Sequence, residues 1–173
     1  MVTGVRLLRP ADAEELAALL AANHSFLAPW EPIREANYAT AAGQRRDVEG
    51  LLRRYEQGEA VPLGILDGDG RLIGKATLTG VVRGPFRSAD LGYWVSEDSN
   101  GRGHGTQAVA AVVRMAFEEL GLHRLQAGTL LHNERSQRVL IKNGFTRIGV
   151  APEYLRIAGR WQDHVLFQRI CRE

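Results

Sequence analysis

The segment Ser99-Asn100-Gly101-Arg102-Gly103-His104-Gly105-Thr106 sets three glycines at alternate positions directly ahead of a helical pattern. Glycine reaches positive φ and lets a ligand come close to the main chain. The free N–H groups of a first helical turn, together with the helix dipole, favour an anion there. A pyrophosphate fits that chemistry, and Arg102 within the loop could add fixed positive charge. The spacing is G-x-G-x-G, which is neither the G-x-G-x-x-G of dinucleotide folds nor the G-x-x-x-x-G-K-[ST] of a P-loop. The strand-like run after the helix, 124–131, ends without an acid to hold a ribose hydroxyl. The glycines also fall past the middle of the chain, behind antiparallel signals. All three features weigh against NAD and ATP.

The elements that must position this loop can be read outward from it. A β-type run at 89–95 feeds it, and a long helix is predicted over 105–120. Upstream, Leu16, Leu19 and Leu20 mark a helix over 11–22, and Val48, Leu51, Leu52 and Tyr55 mark a second one ending near Gly58. Between them, Pro29 and Pro32 forbid regular structure around Trp30, so 26–32 is predicted as an ordered aromatic loop. Asp67-Gly68-Asp69-Gly70 separates the runs 62–66 and 72–82 as a hairpin. Beyond the long helix come a strand at 124–131, a helix at 134–143 closed by Gly144, and final runs at 145–150 and 161–169. With no linker or repeat, a single mixed α/β domain over 1–173 is expected.

Composition removes several classes of function. With 45% hydrophobic and 24% charged residues the 173-residue chain has the balance of a globular domain, and no apolar run is long enough for a bilayer. The first ten residues lack a secretory pattern, so a cytoplasmic protein is expected. The single cysteine, Cys171, can close no internal disulfide, and the five histidines show no ligand spacing, so no metal is expected. The net charge of +2 is spread among interspersed Arg, Asp and Glu, which argues against direct nucleic-acid binding.

Against this background the chain resembles the GNAT acetyltransferases over nearly its whole length. Asn100-Gly101-Arg102-Gly103-His104-Gly105 matches the family's Q/R-x-x-G-x-G/A signature, with Asn in the first position. Within the family it is most similar to the RimJ- and RimL-type ribosomal-protein N-terminal acetyltransferases. The blocks that carry this likeness are Pro29-Trp30-Glu31-Pro32, Leu91-Gly92-Tyr93-Trp94-Val95, Leu120-Gly121-Leu122-His123-Arg124, Asn133 with Ser136 and Arg138, Gly144-Phe145, and Gly159-Arg160-Trp161-Gln162-Asp163-His164. The resemblance implies an α+β (mixed α/β) fold: a six- to seven-stranded, mostly antiparallel sheet with splayed central strands, flanked by about four helices. It implies acetyl-CoA, with CoA as product. The donor would be held by the main chain of Tyr93, Trp94 and Val95, by Asn100, Gly101, Arg102, Gly103, His104, Gly105 and Thr106, and by Asn133 and Arg138. The acceptor would be the N-terminal alanine or serine of a ribosomal protein, walled by Trp30, Glu31 and Tyr154.

Acetyl transfer from a thioester needs a deprotonated amine, stabilisation of a developing oxyanion and a proton for the departing thiolate. Many family members place a tyrosine acid two residues before the block read here as Lys142-Asn143-Gly144-Phe145, but this chain has Leu140 there. The resemblance to RimL-type enzymes points instead to Ser136 as the acid and to Glu153, in Glu153-Tyr154-Leu155, as the group beside the amine. Glu31 could serve the same purpose. Two other functions stay open: a small-amine acetyltransferase acting on a polyamine, aminoglycoside or amino acid, and a CoA-binding module without turnover. The aromatic segment at Trp30 suits a homodimer contact as well as a substrate wall.

Overall fold

The computed structural model describes residues 4–172. Its sheet begins one strand earlier than the sequence pattern suggests. Gly4–Leu7 forms β1 and pairs antiparallel with β2 (Val61–Leu66), Val5 opposite Ile65. Four residues are too few to show alternation, so β1 is legible only from its partner. β2 and β3 (Leu72–Val82) make the hairpin around Asp67, whose Oδ1 accepts from the backbone N–H groups of Asp69 and Arg71. β4 (Ser88–Val95) follows antiparallel to β3.

From β4 the chain crosses through α4 (His104–Arg114) and a π-helical turn, Met115–Glu119, into β5 (Arg124–Leu130). A helical crossover is what a parallel pair requires, and β4 and β5 are parallel. After α5 (Glu134–Lys142), the long hairpin of β6 (Thr146–Ile157) and β7 (Arg160–Ile170) completes the order β1-β2-β3-β4-β5-β7-β6. The expected fold is confirmed, with a seven-stranded, mostly antiparallel sheet and five α-helices among the described residues.

Helices cover both faces. α1 (Ala13–Ala22) and α3 (Ala41–Glu56) bury Leu16 and Val48 against Leu8 and Leu72. On the opposite face, α4 buries Val109, Val112 and Val113 in a larger cluster with Leu63, Ile65, Leu78 and Leu125. Burying each such side chain is worth about 1.5–3 kcal/mol, so this second layer fixes where the start of α4 stands relative to β4.

Three boundaries differ from the sequence pattern. The first helix starts at Ala13, after a 3₁₀ turn at Pro10–Asp12, where Asp12 accepts from Arg6 at 2.7 and 2.9 Å and from the Arg9 N–H at 2.7 Å. Phe26 and Leu27 belong to a short helix, α2 (His24–Leu27), and the irregular chain begins only after it. β6 runs on to Ile157, past bulges at Arg147/Gly149 and Ala151/Leu155.

Candidate active site

The glycine loop has the predicted shape. Gly101 and Gly103 take φ of 77° and 86°, where a side chain is strained, while a Cβ at Gly101 would meet nothing within 4 Å. Gly103 stands at the N-cap of α4 and, as a glycine, brings no side chain to that end of the helix. Asn100 is spent within the loop: its Nδ2 donates to the carbonyls of Val95 and Ser96 at 3.2 and 3.0 Å, and its N–H to that of Glu97. These bonds shape the cradle, and Asn100 is among the residues that line the cavity beside it.

A cavity of about 550 Å³ separates this loop from α5. His104, Gly105 and Thr106 line it on one side, and Arg135, Arg138 and Lys142 on the other. Arg102 is exposed and outside that lining, so the cationic wall comes from α5 instead. Arg135 and Lys142 escaped the sequence reading, although positions i, i+3 and i+7 along a helix share a face. A helix N-terminus opposite three cations fits a diphosphate.

β4 and β5 pair only from Ser88, Ala89 and Asp90 to Arg124, Leu125 and Gln126. Past that point they part, and the main chain of Leu91–Val95 has no ladder partner on β5. Such an edge accepts an extended ligand carrying amides. Two cavities meet in the gap, one of about 360 Å³ toward the glycine loop and one of about 310 Å³ toward α2 and the β6–β7 hairpin. Trp30, Tyr93, Trp94, Asn133 and Ser136 line both.

Tyr93 contributes its side chain as well as its backbone, which sequence had not indicated. Its Oη lies 2.9 Å from Ser136 Oγ and 3.3 Å from the Ser136 carbonyl. Burial pushes the phenol up to about 12, although its bond to Ser136 works the other way. Asn133 caps α5, its Oδ1 accepting from the Ser136 N–H at 3.1 Å. Leu140 is fully buried at the same cavity, and the Thr129 hydroxyl beside it is buried without a hydrogen-bond partner. A hydroxyl left so costs about 1–3 kcal/mol, which marks it as a partner for a ligand or water.

On the acceptor side the two candidate carboxylates separate. Glu31 lines the cavity, and burial raises its pKa above the ordinary carboxylate value while Arg34 and Lys75 pull it down. Lys75 lines the same cavity, nine-tenths buried, and its Nζ donates to Asp47 on α3 at 2.6 Å. Glu153 is exposed at a bulge with φ of 46°, donates its N–H to Asp163, and lies outside the lining. Tyr154 packs against Gly128 and, at 5.6 Å between rings, against His164, both of which line the cavity. Trp30 sits 5.3 Å from the His132 ring at the mouth between the two cavities.

Residues 4–146 match the family described as acetyltransferase (GNAT) domain. Over 161 residues, 92% of this chain and 89% of the relative, the sequence is 40% identical to the probable N-acetyltransferase YjcK of Bacillus subtilis. It is 37% identical over 163 residues to the [ribosomal protein uS5]-alanine N-acetyltransferase of Escherichia coli, covering 94% of this chain and 84% of that one. Among solved structures, RimJ of Mycobacterium smegmatis in complex with CoA-disulfide superposes with a TM-score of 0.94 at 31% identity, over 98% of this chain and 82% of that one.

Proposed function

We propose that this chain, which belongs to the GNAT acetyltransferases and draws its acetyl group from acetyl-CoA, acetylates the N-terminal amine of a protein, an alanine or serine on a ribosomal protein. The observation that carries the acceptor class is the charge arrangement of its cavity. Glu31 is the only carboxylate among its lining residues, and it shares about 310 Å³ with Arg34 and Lys75. A polyamine or aminoglycoside brings several cations and would meet two fixed ones. A peptide N-terminus brings one ammonium for Glu31, followed by carbonyls that accept from Lys75 and Arg34. The rim supports the same acceptor: Leu155 lines the cavity and stands exposed, and the exposed Ile33 follows directly on the lining residues Glu31 and Pro32. The ribosomal-protein acetyltransferase from E. coli, at 37% identity, favours it too.

Each residue then has a task. The amides of the first turn of α4, with Arg135, Arg138 and Lys142, hold the phosphates, and the open edge of β4 holds the pantetheine arm. CoA supplies an activated thioester. Glu31 binds the incoming ammonium and takes its proton; a peptide amine, at about pH 8, needs only modest help. Ser136 provides the proton for the departing sulfur. Such a reaction places the protein in the cytoplasm, where ribosomal proteins are made.

Thiol release from acetyl-CoA, measured with peptides beginning in Ala or Ser beside spermidine, an aminoglycoside and free alanine, tests the assignment. The peptides should turn over at least tenfold faster than the small amines, as expected from about 1.4 kcal/mol of discrimination. Preference for spermidine would reject the acceptor and keep the chemistry. CoA binding with no turnover of any amine would indicate a binding module.

A further inference from the structure

We infer that Tyr93 is the positioning residue for the proton that Ser136 delivers, its phenol donating to Ser136 Oγ so that the serine's own proton is left to face the cleft. The inference rests on Ser136 being the acid. Both partners of Tyr93 Oη belong to Ser136: the carbonyl, which accepts at 3.3 Å, and Oγ at 2.9 Å, where either hydroxyl can be the donor. A phenol has one proton to give, and the shorter contact is the better hydrogen bond. Burial keeps that proton in place throughout the neutral range.

A serine in the first turn of a helix ordinarily rotates among its staggered positions or bonds back to a carbonyl of the preceding turn. Here two elements remove that freedom. Asn133 holds the Ser136 N–H from the cap of α5, and Tyr93 reaches across from β4 to hold Oγ. Both hydroxyls line the two cavities where these meet, while the fully buried Leu140, one turn further along α5, offers no polar group. The step balances. As the amine nitrogen bonds to the acetyl carbon and the carbon–sulfur bond breaks, the Ser136 proton goes to sulfur. The proton shed by nitrogen on becoming an amide restores the serine, and Tyr93 keeps its own.

The test is a double-mutant cycle of Tyr93→Phe and Ser136→Ala, which leaves both packing positions filled. Tyr93→Phe should lower kcat about tenfold with KM for acetyl-CoA unchanged, and the double variant should be no slower than Ser136→Ala alone. Calorimetry should give CoA the same affinity for Tyr93→Phe as for the parent. The urea midpoint of the double variant should fall no further than the lower of the two single ones. Multiplying losses in kcat, or a rise in KM with kcat intact, would overturn the positioning role alone. Full kcat in Ser136→Ala would overturn the assignment of Ser136 as acid, and the positioning role with it.

Discussion

The two sides of the β4–β5 gap are built on opposite principles. Toward the donor, almost everything is main chain and positive charge: glycine amides, a helix N-terminus, an unpaired strand edge and three cations on α5. Nearly all of it comes from residues 91–142. Toward the acceptor, the wall is side chain and mixed charge, assembled from Glu31, Lys75, Thr129, Leu155 and His164 on five separate stretches. A family can hold the first side constant, since every member grips the same carrier, and vary the second. Backbone contacts read shape and phosphate without regard to side-chain identity, whereas a few buried charges decide which amine is admitted.

If this contrast holds, damage to each side should show in different constants. The largest effect is expected from Gly103→Val. A β-branched residue at φ 86° costs about 1–3 kcal/mol of backbone strain. It also shifts amides whose charge-assisted bonds are worth about 1.5–3 kcal/mol each, so CoA affinity should fall about 100-fold or more by calorimetry. An added Cβ there would touch only Gln107, at 3.9 Å, so a Tm drop of a few degrees should be the whole cost to the fold. Undiminished CoA affinity would remove the cradle from the donor site.

Glu31→Gln should leave CoA affinity unchanged and lower kcat/KM for the acceptor by about 100-fold, within the usual range for a general base. Glu153→Gln should stay within about twofold, since surface changes away from a site are usually small. Because burial outweighs Arg34 and Lys75, the Glu31 carboxyl ionises above its ordinary range. Activity carried by its ionised form should therefore rise with pH through that raised value, and this acid limb should vanish in Glu31→Gln. The stability term has the opposite sign. A raised carboxyl pKa favours the fold at low pH and disfavours it once the group ionises, so Glu31→Gln should raise Tm at neutral pH and lose that advantage in acid. An equal loss in Glu153→Gln would show that the acceptor wall extends to the β6 bulge.

On the donor side a much smaller effect than at Gly103 is expected from Arg138→Ala. Arg138 is exposed and already paired with Glu134 at 3.2 Å, so its removal should weaken CoA binding by about threefold, less at high salt, with KM for the peptide untouched. A change in the peptide's KM would mean that the two sides are not independent.

Much of the donor side was legible before any coordinates, because its signals are local. Positive φ at Gly101, Gly103 and Gly144, the Asn133 cap and the Asp67 turn each involve residues within about four positions of one another, the range over which turn and cap chemistry operates. Arg102 against Arg135 and Lys142 shows the limit. A loop arginine beside the glycines looked like the phosphate partner, yet the cavity wall belongs to the helix that packs across from the loop. The splay of β4 from β5 was implied by family resemblance and not by any pattern in the strands themselves.

By itself, then, the sequence determined the order of most elements, the cradle and the donor it suits, since period, turn residues and glycine conformation are properties of short segments. Tertiary structure alone decided which of the two carboxylates lines the cavity, that Lys75 is held by Asp47, and that Tyr93 joins Ser136 across 43 residues of chain. Burial and electrostatic environment are sums over elements distant in sequence. A Glu on a bulge and a Glu on a proline-bounded loop therefore look alike until the sheet and its helices close around one of them.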